Sequence, residues 1–498
     1  MNGLAQAYCG LKAALETRTR IATVLIYGFA TAQPQLTAGL LAIVYTRIFT
    51  LQQFGVFGVL SAIVGFLTIV VDLGLPAAIV RNYYDHHEDS ARVGAYLSSV
   101  VNGSAILSLA VLVPVGIVLW SGWEYFGIGS AGSTVFIVLL LLIAFLDRSA
   151  EVLGSIARAK ERPLLFGAGH LAQFVATIGS GVLLVLVLHK GIAGALLAVL
   201  VGRVAATLCY RYFLFRSFDL TWAAPNWGDV KSCLVFGLPL VPNRFAGWAR
   251  YLALRPVLAH IVPMAAVGLF SLASSLATMP NIISNAVDLA LAPIYFKKRT
   301  AGSPEFVDRV HDFGTVFVAA LFPIWVFFIA FTPDIIRVVA GARFEAAVPV
   351  SSALFCAAYA RAQQPFLMRQ IHFLRATWIL PLITLPCAAI SLGAAIVLTP
   401  TYGIVSAGWG VVASDAALLL VLARTIRRYE KVNYPLGVSF FLLALLAALA
   451  AWVVLGEPTF AVMPRWTAKI LFVILAVLLS IWGWLWPQRR FIRQLAQG

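Results

Sequence analysis

Long apolar runs recur along the chain, each near the 20 or so residues that a helix needs to cross a bilayer. Short clusters of Arg, Lys, Pro or Gly separate them. The pattern predicts about fourteen spans, near 21–46, 55–80, 93–120, 134–157, 164–188, 191–213, 233–260, 265–293, 310–332, 346–367, 377–398, 403–423, 436–455 and 467–486. Connections are short, the longest near 211–232 and 294–309, so no soluble domain is expected between spans. The fold class that follows is an all-α polytopic membrane protein.

The seventh run, 232–263, departs from the others because it carries Arg244, Arg250 and Arg255 among Asn243, Trp248 and Tyr251. At roughly 100° per residue, Asn243, Arg244, Gly247, Arg250, Tyr251, Leu254 and Arg255 share one arc of a single helix. Phe245, Ala249, Leu252, Ala253 and Pro256 lie opposite. A central Arg facing lipid costs about 2.5–3.5 kcal/mol, so the three are expected to line a water-filled, positively charged cavity. Arg255, near the span's end, fits either that cavity or a headgroup position. A break at Pro239, Pro242 or Pro256 would rotate the arc. The eighth span repeats the logic with Ser274, Thr278, Asn281, Asn285 and Asp288 on one face. The second offers Ser61, Gly65, Thr68 and Asp72 at the same steps, and the first carries Gln33-Pro34-Gln35 at its centre.

The chain also echoes itself. FGVFGVLSAIV (54–64) returns as VGLFSLASSLA (267–277), Asp72-Leu73 with Pro76 as Asp288-Leu289 with Pro293, and GIAGALLAVLV (191–201) as GIVSAGWGVVA (403–413). Arg158 after span four returns as Arg369 after span ten. One offset, of about 211–216 residues, serves all four pairs. Spans 1–6 (1–217) and spans 7–12 (218–430) are therefore expected to form two parallel six-helix lobes around a central cavity. Spans 13–14 (431–498) are an appendix. Parallel repeats with a site between them are a transporter architecture.

Composition fits this reading and adds an orientation. Of 498 residues, 61% are hydrophobic and 11% charged, with mean hydropathy +0.93, which excludes a soluble globular protein. The net charge is +16. Lys and Arg crowd alternate connections, among them Arg18 and Arg20, Arg158 to Arg162, Lys297 to Arg299, and Arg424 to Lys431. The positive-inside rule then places both termini in the cytoplasm. Five cysteines without a CxxC spacing read as small core residues. His86-His87-Glu88-Asp89 reads as a charged turn rather than a metal site, and no metal, cofactor or nucleic-acid partner is expected. Asp72 and Asp288 suit either pairing with nearby basic residues or coupling to a proton or sodium gradient. Span four, with Asp147, Arg148 and Glu151, reads as an ion-pair cluster in which Arg148 meets Glu151. Arg203, Arg361 and Asp415 are further intramembrane charges; the two arginines are either secondary cavity residues or interhelix locks.

Short motifs over the whole chain resemble the polysaccharide and O-antigen flippases, the Wzx-type transporters of the multidrug/oligosaccharidyl-lipid/polysaccharide (MOP) superfamily. They are Arg47-Ile48-Phe49-Thr50, Phe54-Gly55-Val56-Phe57, Asp72-Leu73-Gly74-Leu75, Phe236-Gly237-Leu238-Pro239-Leu240 and Val267-Gly268-Leu269-Phe270-Ser271. Where many relatives carry an acidic–basic pair late in span seven, this chain has Ala249-Arg250. The resemblance implies a cavity lined by spans 1, 2, 7 and 8 in a bacterial inner membrane. It further implies transfer of an undecaprenyl-pyrophosphate-linked oligosaccharide to the outer leaflet, with the polymerase and glycosyltransferases of the pathway as partners, and no catalytic residues. Arg244, Arg250, Arg255, Arg47, Asn243, Tyr251, Asn281, Asn285, Gln33 and Gln35 are then the candidate substrate-binding residues, and Asp72 and Asp288 the candidate ion-coupling ones. A MATE-like drug exporter and a membrane-embedded polysaccharide polymerase or ligase are the alternatives. The first would suit an acid-rich cavity, and the second needs reactive carboxylates or a larger outward loop.

Overall fold

A computed structural model of the chain describes residues 2–86, 90–129, 132–218, 224–287, 310–373, 378–430, 434–455, 465–486 and 488. Every regular element among them is helical, as lipid requires of a backbone that must satisfy its own hydrogen bonds. The helices are α1 (Asn2–Ile48), α2 (Leu51–Asp72), α3 (Leu75–His86), α4 (Ser90–Ser121), α5 (Ser133–Ala159), α6 (Pro163–Gly181) and α7 (Gly191–Phe218). The broken seventh span follows as α8 (Trp227–Gly237), α9 (Val241–Tyr251) and α10 (Leu254–Ala259), then α11 (Met264–Thr278). The rest are α12 (Val310–Ala330), α13 (Thr332–Val339), α14 (Val348–Phe373), α15 (Ile379–Tyr402), α16 (Ile404–Glu430), α17 (Leu436–Leu455) and α18 (Arg465–Ser480). Among the described residues, ten helices are long and apolar enough to cross a membrane, so this is a multi-pass membrane protein. The other four expected spans fall on α1, α5, the broken α8–α10 rod and α14.

Local chemistry explains where the helices turn and break. Thr50 caps α2 with a capping box: its hydroxyl accepts from the Gln53 amide at 3.1 Å, and the Gln53 side chain accepts from the Thr50 amide at 3.0 Å. At the far end, Leu73 (φ 51°) and Gly74 (φ 73°) are both left-handed, so α2 stops and α3 leaves at an angle. Pro256 has no N–H and crowds the carbonyl four residues back, which is why residues 252–253 are a turn between α9 and α10. Pro280 breaks the eighth span in the same way, leaving a short helical continuation over 281–287.

Packing runs through neighbouring helices. α1 lies on α6, α6 on α7, α7 on α5, and α5 on α2, α3 and α4. Further along the chain, α9 lies on α15, α15 on α16, α16 on α14, and α14 on α11 and α12, with α17 and α18 against α12. The first seven helices meet the later ones mainly where α2 crosses α11. There Gly55 and Gly268 let the backbones touch, since a Cβ on either would run into the opposite helix. At the other end of α2, Gly74 and Gly237 make a second backbone contact of this kind. Gly74→Ala adds a Cβ both at positive φ and against Gly237, and is expected to destabilise the protein by more than about 1 kcal/mol. Thermal unfolding in detergent checks this, with Gly247→Ala, where nothing lies within 4 Å, as the neutral control.

Candidate functional site

Between these two glycine contacts the helices separate around a cavity of about 300 Å³. α1 gives it Gln33, Pro34, Thr37 and Tyr45; α2 gives Phe54, Phe57, Gly58 and Ser61; α11 gives Ser271, Ser274, Ser275 and Thr278. Gln173 and Thr177 of α6, Arg203 of α7 and Arg255 of α10 complete the polar lining. No Asp, Glu or Lys lines it among the described residues.

The two arginines differ. Arg203 is held by Asp147 of α5 at 2.7 Å, and the other oxygen of Asp147 accepts from Thr68 at 3.1 Å. Arg255 sits just past the turn that Pro256 causes and reaches α2 where Gly58 leaves room, donating to the Gly58 carbonyl at 3.4 Å. It pairs with no carboxylate among the described residues. Four buried polar atoms on lining residues also lack a partner among the described residues: Nε of Arg203, Nε of Arg255, the Tyr45 hydroxyl and the Ser271 hydroxyl. Ser61, Ser274, Ser275 and Thr278 donate to carbonyls of their own helices at 2.7–2.9 Å, which leaves their lone pairs open to the cavity. Two guanidiniums on a wall of amides and hydroxyls suit an anion carrying many hydroxyls.

The candidate residues go to different places. Gln33 is buried at the cavity wall, donating to Thr37 at 2.9 Å with its carbonyl 3.4 Å from the ring of His170. Gln35 turns back on the carbonyls of Thr31 and Ala32. Arg244 forms an ion pair with the buried Asp72 of α2, and Asn243 accepts from Thr384 of α15 at 3.2 Å. Arg250 is 4% exposed and bonded to Asp415 of α16 at 2.7 Å; Tyr251 donates to the same carboxylate at 2.6 Å. Arg47 donates to the Val338 carbonyl at 2.5 Å, while Arg343 returns bonds to the carbonyls of Thr46 and Arg47. Asn281 and Asn285 lie on the continuation past Pro280, away from the cavity lining. Asp288 and the run 87–89 lie outside the described residues.

The single arc expected for span seven is therefore dispersed. The turn at 252–253 rotates Arg255 away from Arg250, so the three arginines meet α2's far end, α16 and the cavity respectively. Span four also pairs differently: Asp147 takes Arg203, Glu151 takes Arg158 at 3.3 Å, and Arg148 is buried without a carboxylate among the described residues. Tyr45, Gln173 and Thr177 escaped the sequence reading. The signal for the last two was a polar stripe at helical spacing on a largely apolar span, where Gln173 and Thr177 stand between His170 and Ser180.

The fold is shared with solved transporters. The lipid II flippase MurJ, in an inward closed conformation, superposes with a TM-score of 0.71 at 13% identity, covering 96% of this chain and 100% of its own. An inward-facing multidrug resistance MATE family transporter of the MOP superfamily gives 0.61 at 16% identity, covering 86% of this chain and 96% of its own. A point mutant of the Vibrio cholerae MATE transporter VcmN gives 0.57 at 13% identity, covering 84% of this chain and 97% of its own. At these identities the likeness is one of fold. No curated protein matches the sequence. The family model described as polysaccharide biosynthesis protein matches residues 23–298, more than half of the chain, and the chain belongs to that family.

Proposed function

We propose that the protein is a flippase that carries an undecaprenyl-pyrophosphate-linked oligosaccharide from the cytoplasmic to the outer leaflet of a bacterial inner membrane. The observation that carries this reading is Arg255, which meets no carboxylate among the described residues, in a cavity walled by amides and hydroxyls. A guanidinium without a carboxylate suits a phosphate anion, which its planar fork can bind bidentately. The hydroxyl and amide lining suits a sugar, and the polyprenyl tail stays among lipid while the head crosses.

In this reading residues 1–217 and 218–430 are two lobes that rock about the cavity, with both termini cytoplasmic. The Gly74–Gly237 contact and the Arg244–Asp72 pair then close the cytoplasmic side. Arg47, Arg343 and the Gly55–Gly268 crossing close the outer side. Arg244 becomes available to the cargo only when the inner closure opens.

The test is reconstitution into vesicles with radiolabelled lipid-linked oligosaccharide, followed by accessibility of the label in each leaflet. The expected result is protein-dependent movement without change of mass. A product of higher mass indicates a polymerase or ligase. Failure to move the lipid alongside export of a cationic dye indicates an exporter; either outcome overturns the proposal.

A further inference from the structure

Two intramembrane ion pairs occupy matching places in the two halves of the chain with their signs exchanged. In the first half, Asp147 of α5 meets Arg203 of α7 at 2.7 Å. In the second, Arg361 of α14 meets Asp415 of α16 at 3.3 Å. The members are displaced by 214 and 212 residues, the same offset that relates the sequence echoes. α5 packs along α7 as α14 packs along α16. One helix-pair geometry thus accommodates the acid on either member.

The surroundings of the two pairs differ on one side. The second pair is capped from α9: Arg250 and Tyr251 both bond Asp415, and the Arg361 guanidinium lies 3.6 Å over the Tyr251 ring. At the 212-residue offset that relates Asp415 to Arg203, Arg250 corresponds to Ala38 of α1, which lines the cavity and has no polar side chain, so that position of α1 offers the first pair no such cap; its further bond is from Thr68 of α2 to Asp147 at 3.1 Å. The cationic member there, Arg203, is itself a lining residue, and its buried Nε has no partner among the described residues. Had the first half kept the polarity of the second, a carboxylate would face the cavity at this position.

We propose that Arg203 is a second anion-binding residue of the cavity, facing the cargo together with Arg255, and that Asp147 is the positioning residue that holds its fork there. The proposal rests on the anionic cargo proposed above. With guanidiniums on both α7 and α10, the cavity suits a diphosphate better than a monophosphate, because each phosphoryl group can meet its own fork.

The double swap Asp147→Arg with Arg203→Asp copies the polarity already present at Arg361 and Asp415. The swap tests sign without stranding a charge. Purified full-length protein in detergent is compared for thermal unfolding and for binding of a polyprenyl pyrophosphate, with polyprenyl monophosphate alongside and Arg255→Ala as a parallel variant. The expected result is a folded swap protein that binds the pyrophosphate at least about tenfold more weakly and no longer prefers it to the monophosphate. If the swap binds like wild type while Arg255→Ala is weakened, Arg203 has no such role and the cavity reading stands. If neither variant changes binding, the cavity reading itself fails. Should the swap not fold, Asp147→Asn with Arg203→Gln removes both charges together and keeps a hydrogen-bonded pair. Weakened pyrophosphate binding in that variant supports the proposal, and unchanged binding overturns it.

Discussion

Asp415→Ala should lower stability by about 3–5 kcal/mol, the cost of stripping a buried ion pair of one partner. Asp415 is 0% exposed and its two oxygens serve four side chains. Arg250 and Tyr251 bond Oδ1 at 2.7 and 2.6 Å, Gln364 donates to the same oxygen at 3.1 Å, and Arg361 reaches Oδ2 at 3.3 Å. These partners come from α9 and α14, so one carboxylate fastens two helices to α16. Removing it leaves Arg250, 4% exposed, and Arg361, 21% exposed, beside each other with no counter-charge among the described residues. Asp415→Asn retains hydrogen bonding yet leaves the same excess charge, and is expected to fall between alanine and wild type. Thermal or denaturant unfolding of the detergent-solubilised protein reads the difference; an alanine variant as stable as wild type would mean that the cluster contributes nothing.

Arg255→Ala should have the opposite profile, a large loss of transport with little loss of stability. Its guanidinium makes one long bond, to the Gly58 carbonyl at 3.4 Å, so little of the fold depends on it. A charge-assisted hydrogen bond to the cargo is worth about 1.5–3 kcal/mol, so binding of the lipid-linked head should weaken about tenfold to a hundredfold. Arg255→Lys keeps the charge without the planar fork and should recover part of that loss. Arg255→Glu should abolish transport. Flipping in reconstituted vesicles, normalised to inserted protein, is the measurement, and normal flipping by Arg255→Glu would remove Arg255 from the mechanism.

The contrast between these two sites shows what patterning along one helix can and cannot reveal. Arg250 of span seven reads as a cavity residue because intramembrane charge is expensive in lipid, and Arg255 as either a cavity or a headgroup residue. That reasoning excludes lipid as the neighbour, but it does not choose between water, cargo and a carboxylate 165 residues away. Arg250 found Asp415; Arg255 found the cavity. On an unbroken helix they share one arc, and the turn before Pro256 separates them. Arg203 shows the converse case. Its charge is visible in the sequence, but its place at the cavity wall depends on how α7 packs against α6 and α5.

Apolar run length marks the long helices from the sequence alone, and Pro256 stands there as a candidate break, because side-chain transfer energies and proline's missing N–H are local properties. The breaks at Leu73-Gly74 and Pro280 fall inside runs that read as single spans over 55–80 and 265–293, and the glycine crossings depend on which helices meet. Tertiary structure alone decided which charge meets which, because ion pairing is settled by distances of a few ångströms between helices far apart in the chain. Asp72 with Arg244, Asp147 with Arg203 and Asp415 with Arg250 and Arg361 are all of this kind. With these carboxylates so committed, the fold leaves Arg255 without an acidic partner among the described residues, facing the cavity, and the proposed function rests on that feature.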